Sequence, residues 1–140
     1  MYKSVIVGIF LIFFSSCSGV AESTEKAELV VERLHKDYNL ERFDRIYKTS
    51  ASDYKKVVKP EMNRRLFKTI RRKLGKVKEA KRVGWNVNAT TGGTFVTLNY
   101  ETEFELDKGV ETFTIVVSDG KAAMLNFNVN SPALMVELDE

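Results

Sequence analysis

The chain has few of the residues on which disulfide-stabilised domains and catalytic sites depend. Its 140 residues include one cysteine, one histidine and two prolines. A single cysteine cannot form a disulfide within the chain, so the fold has to be stabilised by its hydrophobic core. The single histidine, His35, leaves a metal site short of ligands. We therefore expect no bound metal, no cofactor and no disulfide framework.

Long hydrophobic runs are also scarce, and the one that is present lies near the first residue. Lys3 precedes an almost wholly apolar run at residues 5–14. About ten residues are too few to cross a bilayer, which requires roughly 20 residues in a helix. Two serines then precede Cys17, and only Phe14, where leucine is commoner, departs from the pattern of a bacterial lipoprotein signal. This order predicts a signal peptide at residues 1–16 and a lipid on the sulfur of Cys17.

An ordinary cleaved signal or an uncleaved membrane anchor is the alternative interpretation of this segment. Either would leave Cys17 as an unpaired exported thiol, which invites mispairing, whereas a thioether bond to lipid removes that thiol. Buried acyl chains would hold the protein on a bilayer. Ser18 follows the cysteine, which is typical of sorting to the outer membrane, with the protein facing the periplasm. Residues 17–24 would then be the lipidated tether, and residues 25–138 a single domain.

Charges of opposite sign are concentrated in different parts of the chain. Residues 55–82 contain thirteen basic and two acidic residues, whereas residues 99–140 contain nine acidic and two basic residues. Such polarity steers charged partners and predicts a basic surface for a protein or for anionic lipid headgroups. An acidic glycan and a merely solvated helix face are the alternatives. Nucleic acid is not an expected partner, because export separates the chain from it and aromatic residues do not alternate with the bases.

The candidate binding surface covers one predicted helix at residues 60–74. Gly75 follows it, where a left-handed cap ends many helices. The apolar residues recur at steps of about four and predict a buried stripe: Met62, Leu66, Phe67, Ile70 and Leu74. The bases that cover the other faces form the candidate partner or membrane surface: Arg64, Arg65, Lys68, Arg71 and Arg72.

After Val83 the hydrophobic period changes to two residues, which predicts strands. Tight-turn sequences at residues 91–93, 107–109 and 119–120 divide this part into about four strands. Three carboxylates, on Glu101, Glu103 and Glu105, share one face of the second strand. A solvated face is favoured over calcium, which needs six to eight converging oxygens. Helices followed by such a meander predict an α+β domain, with the N-terminal helices packed on a curved antiparallel sheet.

The aromatic residues are mostly expected in the core, and two are candidates for a pocket between helices and sheet. These are Trp85 and Tyr100, since an open helix-covered sheet often leaves a concave cavity. His35 lies beside Leu34 on the first helix, and the acids near it in sequence belong to an exposed helical face. We interpret it as a surface or boundary histidine, because a catalytic role requires a partner within hydrogen-bond range.

Several segments in a fixed order carry a resemblance to a known family. They are residues 73–77 after the basic helix, Trp85 at the start of the sheet, residues 92–100, residues 111–114 and residues 128–134. In this order the chain resembles exported bacterial lipoproteins of unknown function whose domain has the nuclear transport factor 2-like, or cystatin-like, fold. Residues 122–127 depart from the pattern, because members usually have a tryptophan after the last hairpin. The resemblance implies a fold and a compartment, without catalytic residues.

We predict a membrane-tethered lipoprotein that acts by binding rather than catalysis. Its polarised charge favours a protein partner, with an immunity or inhibitor protein as one specific version. A pocket for a small apolar or glycan-derived ligand is the alternative. A hydrolase or isomerase is a third possibility that rests on the fold alone.

Overall fold

The described part of the chain folds into four helices, a four-stranded sheet and a final helical turn. The computed structural model describes residues 18–136, so the predicted signal peptide and Cys17 lie outside the described residues. The helices are α1 (Ser18–Asn39), α2 (Phe43–Thr49), α3 (Ser52–Val57), α4 (Pro60–Leu74) and α5 (Pro132–Met135). The strands are β1 (Val77–Thr90), β2 (Gly93–Phe104), β3 (Lys108–Ser118) and β4 (Lys121–Asn130).

The sheet is antiparallel throughout, in the order β1-β2-β3-β4. We call the face that packs against the helices the inner face and the opposite one the outer face. On β2 the inner face is apolar and buried, with Val96, Leu98 and Phe104 in the core, while residues between them point outward. The predicted α+β architecture of helices on a curved antiparallel sheet is confirmed.

Helix α1 includes the segment that the sequence predicted to be a tether. It begins at Ser18, so the described part of the predicted tether, residues 18–24, is helical. Ala27 is its first buried residue. The helix ends in a Schellman motif, in which the Arg42 amide donates to Asp37 O and the Glu41 amide donates to Tyr38 O. Glu41 takes the left-handed position of this motif, with φ 57°.

Helix α4 buries part of the predicted stripe, since Phe67, Ile70 and Leu74 are in the core but Met62 and Leu66 are not. Met62 is 58% exposed and Leu66 is 41% exposed. The buried residues are Asn63, Phe67, Ile70 and Leu74. In the first turn the buried position is taken by Asn63 rather than Met62, because Asn63 finds hydrogen-bond partners in the core. Its side-chain amide donates to Phe43 O at 3.0 Å and its carbonyl oxygen accepts from the Tyr54 hydroxyl at 2.9 Å.

Two of the predicted turn glycines adopt backbone angles that require glycine. Gly75 ends α4 with φ 78°, and a Cβ there would lie 2.7 Å from the Glu105 carboxylate. At the β3–β4 hairpin both Asp119 and Gly120 have positive φ, which is typical of a type I′ turn. These two predicted chain reversals are confirmed.

Candidate functional site

The candidate site is a basic groove between α2 and α4. It consists of two adjoining depressions of about 610 and 570 Å³, which share Glu41, Arg64 and Lys68. Together their walls carry seven basic and three acidic side chains. We call this site the α2–α4 groove; its basic residues are Arg42, Arg45, Lys48, Arg64, Arg65, Lys68 and Arg72.

Buried packing between the two helices fixes the walls of the groove. The rings of Phe43 on α2 and Phe67 on α4 are stacked, with centroids 6.1 Å apart. Asn63 adds its hydrogen bond to the Phe43 carbonyl. Because these contacts are in the core, they fix how α2 and α4 lie together, and surface side chains of both helices line the groove between them.

Arg64 lies within the groove but its guanidinium is already paired. It donates to Asp44 Oδ1 at 2.8 Å and to Glu61 Oε1 at 3.0 Å. The hydrogen bond and charge of Asp44, supported by Glu61, raise the pKa of the Arg64 guanidinium above its ordinary value. These two acids are therefore paired with Arg64, and neither forms an ion pair with another base of the groove.

Three of the predicted surface bases are exposed and available. Arg65, Lys68 and Arg72 are exposed on α4, and within residues 18–136 none of them forms an ion pair. Their spacing of three and four residues places them along one side of the helix, over about 10 Å. They form the part of the predicted surface that can contact a partner.

Arg71 is not part of that surface, which corrects the prediction. Its side chain is only 18% exposed, and its Nη1 lies 4.0 Å from Glu105 Oε2. Its Nε is buried without a hydrogen bond to any described residue. Arg71 lies on the side of α4 that faces Tyr38 of α1 and Glu105. Its charge acts on those two residues and not on a partner in solution.

Trp85 and Tyr100 do not form the predicted pocket. Tyr100 is buried and packs edge-to-face on Phe113, with centroids 5.8 Å apart. Burial raises the pKa of its hydroxyl to about 12. Trp85 is 55% exposed on β1. Between the helices and the sheet, the recess bounded by α1, α2 and β4 has a volume of only about 20 Å³, room for about one water.

His35 has a buried carboxylate partner that the sequence did not reveal. Its Nε2 lies 2.8 Å from Glu111 Oε2, and the same oxygen accepts from the Thr102 hydroxyl at 2.6 Å. Glu111 is buried on β3, 76 residues further along the chain. The sequence signal that could have indicated this contact is the alternation of β3, which places the side chain of Glu111 on the inner face. Neither His35 nor Glu111 lines the α2–α4 groove, so we assign them a structural role.

The acids of β2 do not converge on one point. Glu101 and Glu103 lie on the outer face, whereas Glu105 lies beyond the strand and accepts a hydrogen bond from the Lys76 amide at 2.8 Å. Within residues 18–136 no group of three acidic, histidine or cysteine side chains could hold a metal ion. Over the same residues, no helix combines the length and apolarity needed to span a membrane.

Comparison with known proteins does not identify a family for this chain. No protein-family model matches it, and no curated protein is significantly similar to it. The function therefore has to be argued from the chemistry of the described surfaces.

Proposed function

We propose that this protein is a lipid-anchored binding module of the bacterial envelope, which holds an acidic protein partner in the α2–α4 groove. One observation supports this most strongly. Arg65, Lys68 and Arg72 are exposed on a rigid groove wall, while Asp44 and Glu61 are occupied by Arg64. The domain is proposed to be nuclear transport factor 2-like, in agreement with its helices followed by a meander.

The spacing of the free bases indicates what kind of partner surface would fit. Three bases over about 10 Å match carboxylates spaced three and four residues apart on a helix. Each exposed pair contributes about 0.2–1 kcal/mol, so the bases alone give specificity and fast association more than high affinity. The groove walls would supply the remaining contact area.

The position of the groove favours a protein over the bilayer that would carry the lipid anchor. Glu41 and Arg42 follow the last residue of α1, so the groove lies at the C-terminal end of that helix. The 22 residues of α1 span about 33 Å. A lipid on Cys17 would therefore be attached near the opposite end of α1. The groove is also concave, which suits a protruding partner better than a flat layer of headgroups.

Charge reversal on α4 tests this proposal. The variant Arg65→Glu/Lys68→Glu/Arg72→Glu replaces three available bases and leaves Arg64 and Arg71 in place. We expect it to weaken binding of a helical peptide with glutamates at positions i, i+3 and i+7 at least tenfold, which is about 1.4 kcal/mol. Titration by fluorescence anisotropy at low and moderate salt measures the change.

The matched control changes the net charge equally on the sheet. Lys81→Glu/Lys108→Glu/Lys121→Glu alters three exposed lysines outside the groove. Equal weakening by both variants would show a net-charge effect and refute the groove. If the α4 variant instead lost binding to phosphatidylglycerol vesicles and kept the peptide, headgroups would be the partner and the proposal would be wrong.

A further inference from the structure

Six of the eight asparagines of the chain lie in strands, and all six are on the outer face of the sheet. The register pairs each with a residue that points away from the core: Asn86, Asn88, Asn99, Asn126, Asn128 and Asn130. Asparagine is depleted in strands, because its side chain competes for backbone hydrogen bonds and packs poorly on a pleated surface. Six asparagines on one face are therefore unfavourable for the stability of the sheet. Their presence there is better explained by binding than by folding.

The two other asparagines of the chain show what a structural asparagine does here. Asn39 accepts from the Val77 amide and donates to the Val77 carbonyl. The buried Asn63 side chain accepts from the Tyr54 hydroxyl and donates to the Phe43 carbonyl. Among the six outer-face side chains, by contrast, only Asn99 bonds to another side chain of the described part, accepting from Thr112. The remaining five present amide donors and acceptors to the surroundings.

The strand register places four of these six amides in two rows that cross all four strands, while Asn88 and Asn130 lie in the flanking rows. One row is Asn86, Thr97, Thr114 and Asn126; the other is Gly84, Asn99, Thr112 and Asn128. We call these two rows the amide face. Strand spacing makes each row about 14 Å long, and the rows are about 7 Å apart. Neither row contains a charged residue, although 29% of the chain is charged.

A glycine within the amide face and an aromatic ring at its border add to its chemistry. A Cβ on Gly84 would lie 3.2 Å from the Asn99 amide nitrogen, so glycine allows the Asn99 side chain to lie close against β1. Phe95 lies in the next row, paired with Val116. The face therefore combines neutral donors, neutral acceptors and a ring.

We propose that the amide face binds a neutral oligosaccharide chain. A sugar chain presents uncharged hydroxyl or acetamido groups as donors and acceptors at intervals along an extended ligand, and apolar C–H faces that suit an aromatic ring. The absence of charge on the face complements the absence of charge on the ligand. This site is separate from the α2–α4 groove and does not depend on the function proposed for it.

The area of the face argues against a second copy of the chain. The two rows and the adjoining Phe95 row cover roughly 14 by 14 Å, about 200 Å². A stable protein–protein interface buries about 800 Å² on each partner. An extended ligand of a few sugar units needs no more than the area that is present.

Titration with defined sugars tests the proposal. Protein purified after expression of the full chain would be titrated with chitotetraose, which carries acetamido groups, and with cellotetraose, which carries hydroxyls only. We expect saturable NMR shifts of the side-chain amides of Asn86, Asn126 and Asn128 with at least one sugar. A response to chitotetraose alone would identify acetamido groups as the recognised chemistry, and a response to both would identify hydroxyls.

The variant Asn86→Thr/Asn126→Thr/Asn128→Thr separates binding from folding. Threonine is favoured in strands, so we expect a higher midpoint of thermal unfolding together with at least tenfold weaker sugar binding. The α4 charge-reversal variant should bind sugar as the unmodified protein does. Absence of saturable shifts with both sugars, unchanged binding by the threonine variant, or a dimer that this variant abolishes would overturn the proposal.

Discussion

Glu111 joins three elements through one carboxylate oxygen. That oxygen contacts His35 of α1 and the Thr102 hydroxyl of β2, and the side chain is buried. Removing a buried partner leaves the groups around it unsatisfied, which is costly. We expect Glu111→Ala to lower the free energy of unfolding by about 3 kcal/mol, measured by urea denaturation.

The matched control is Glu101→Ala, on the neighbouring strand but on the exposed outer face. Its loss should be below about 0.5 kcal/mol, because surface substitutions away from specific contacts are nearly neutral. Equal losses for the two variants would show that the contact of Glu111 with His35 contributes little to folding.

Glu41 is a residue at which the backbone favours a different amino acid. It takes the left-handed position after α1, with φ 57°. A side chain there costs roughly 1–2 kcal/mol relative to the right-handed region, and glycine avoids most of that cost. Glu41→Gly should therefore stabilise the fold by about 1 kcal/mol in chemical denaturation. Leu40→Gly, one position earlier, should destabilise it; a loss of stability in Glu41→Gly would contradict this explanation.

Among the elements, α4 shows most clearly what hydrophobic periodicity cannot reveal. Met62 and Leu66 fit the spacing of a buried stripe, yet both are substantially exposed, whereas Asn63 is buried. An asparagine in the core is stable only because Phe43 and Tyr54 supply hydrogen-bond partners. Those partners lie on other helices, so no pattern within residues 60–74 predicts them.

Substitutions along α4 test which face is buried. Asn63→Ala should lower the free energy of unfolding by about 2–3 kcal/mol, because it leaves two buried groups without partners. Met62→Ala and Leu66→Ala should each cost less than about 1 kcal/mol. The free energies are measured by urea denaturation of the three variants. A larger loss of unfolding free energy in Met62→Ala than in Asn63→Ala would show that Met62 is buried, as the sequence predicted, and would contradict the structure.

The short helix α5 is hydrogen-bonded to one ionised carboxylate in the turn between β2 and β3, in addition to its contacts with Lys73 and the core. Asp107 accepts hydrogen bonds from the Ser131 hydroxyl and the Ala133 amide. These bonds favour the charged form and hold the pKa of Asp107 below its ordinary value. Their contribution to stability is therefore present above about pH 4 and is lost as the pH falls through the lower, folded-state pKa.

Acidification should consequently release α5 before the rest of the fold. As the pH falls from 5 to 2, we expect the protection of the amides of residues 133–135 against hydrogen exchange, relative to the intrinsic rate at each pH, to decrease in the unmodified protein. In Asp107→Asn the same amides should show low protection at all these pH values. Identical pH profiles for the two proteins would show that Asp107 does not hold α5.

The strands were more predictable than the helices for a physical reason. Along β2 the side chains alternate without interruption between the inner and outer faces, so its core residues could be identified from the sequence. The buried face of a helix depends on which neighbours surround it. The Glu111–His35 contact depends in the same way on how α1 lies across the sheet.

On the scale of the whole molecule, charge is the property that the sequence predicted only in part. Counting bases identified α4, and the structure confirms that Arg65, Lys68 and Arg72 are exposed. The count could not reveal that Arg64 is paired with Asp44 and Glu61, or that Arg71 is mostly buried. The groove itself requires α2, whose position follows from the packing of Phe43.

The most direct test of the central proposal is site-specific photo-crosslinking in cells that make the protein. Lys68→p-benzoylphenylalanine places a reactive group in the α2–α4 groove, and the same substitution at Lys121 serves as the control at the β3–β4 hairpin. We predict that position 68 forms an adduct with a protein, joined at an acidic segment, and that position 121 does not. Adducts with lipid alone at position 68, or the same protein adduct at both positions, would contradict the account.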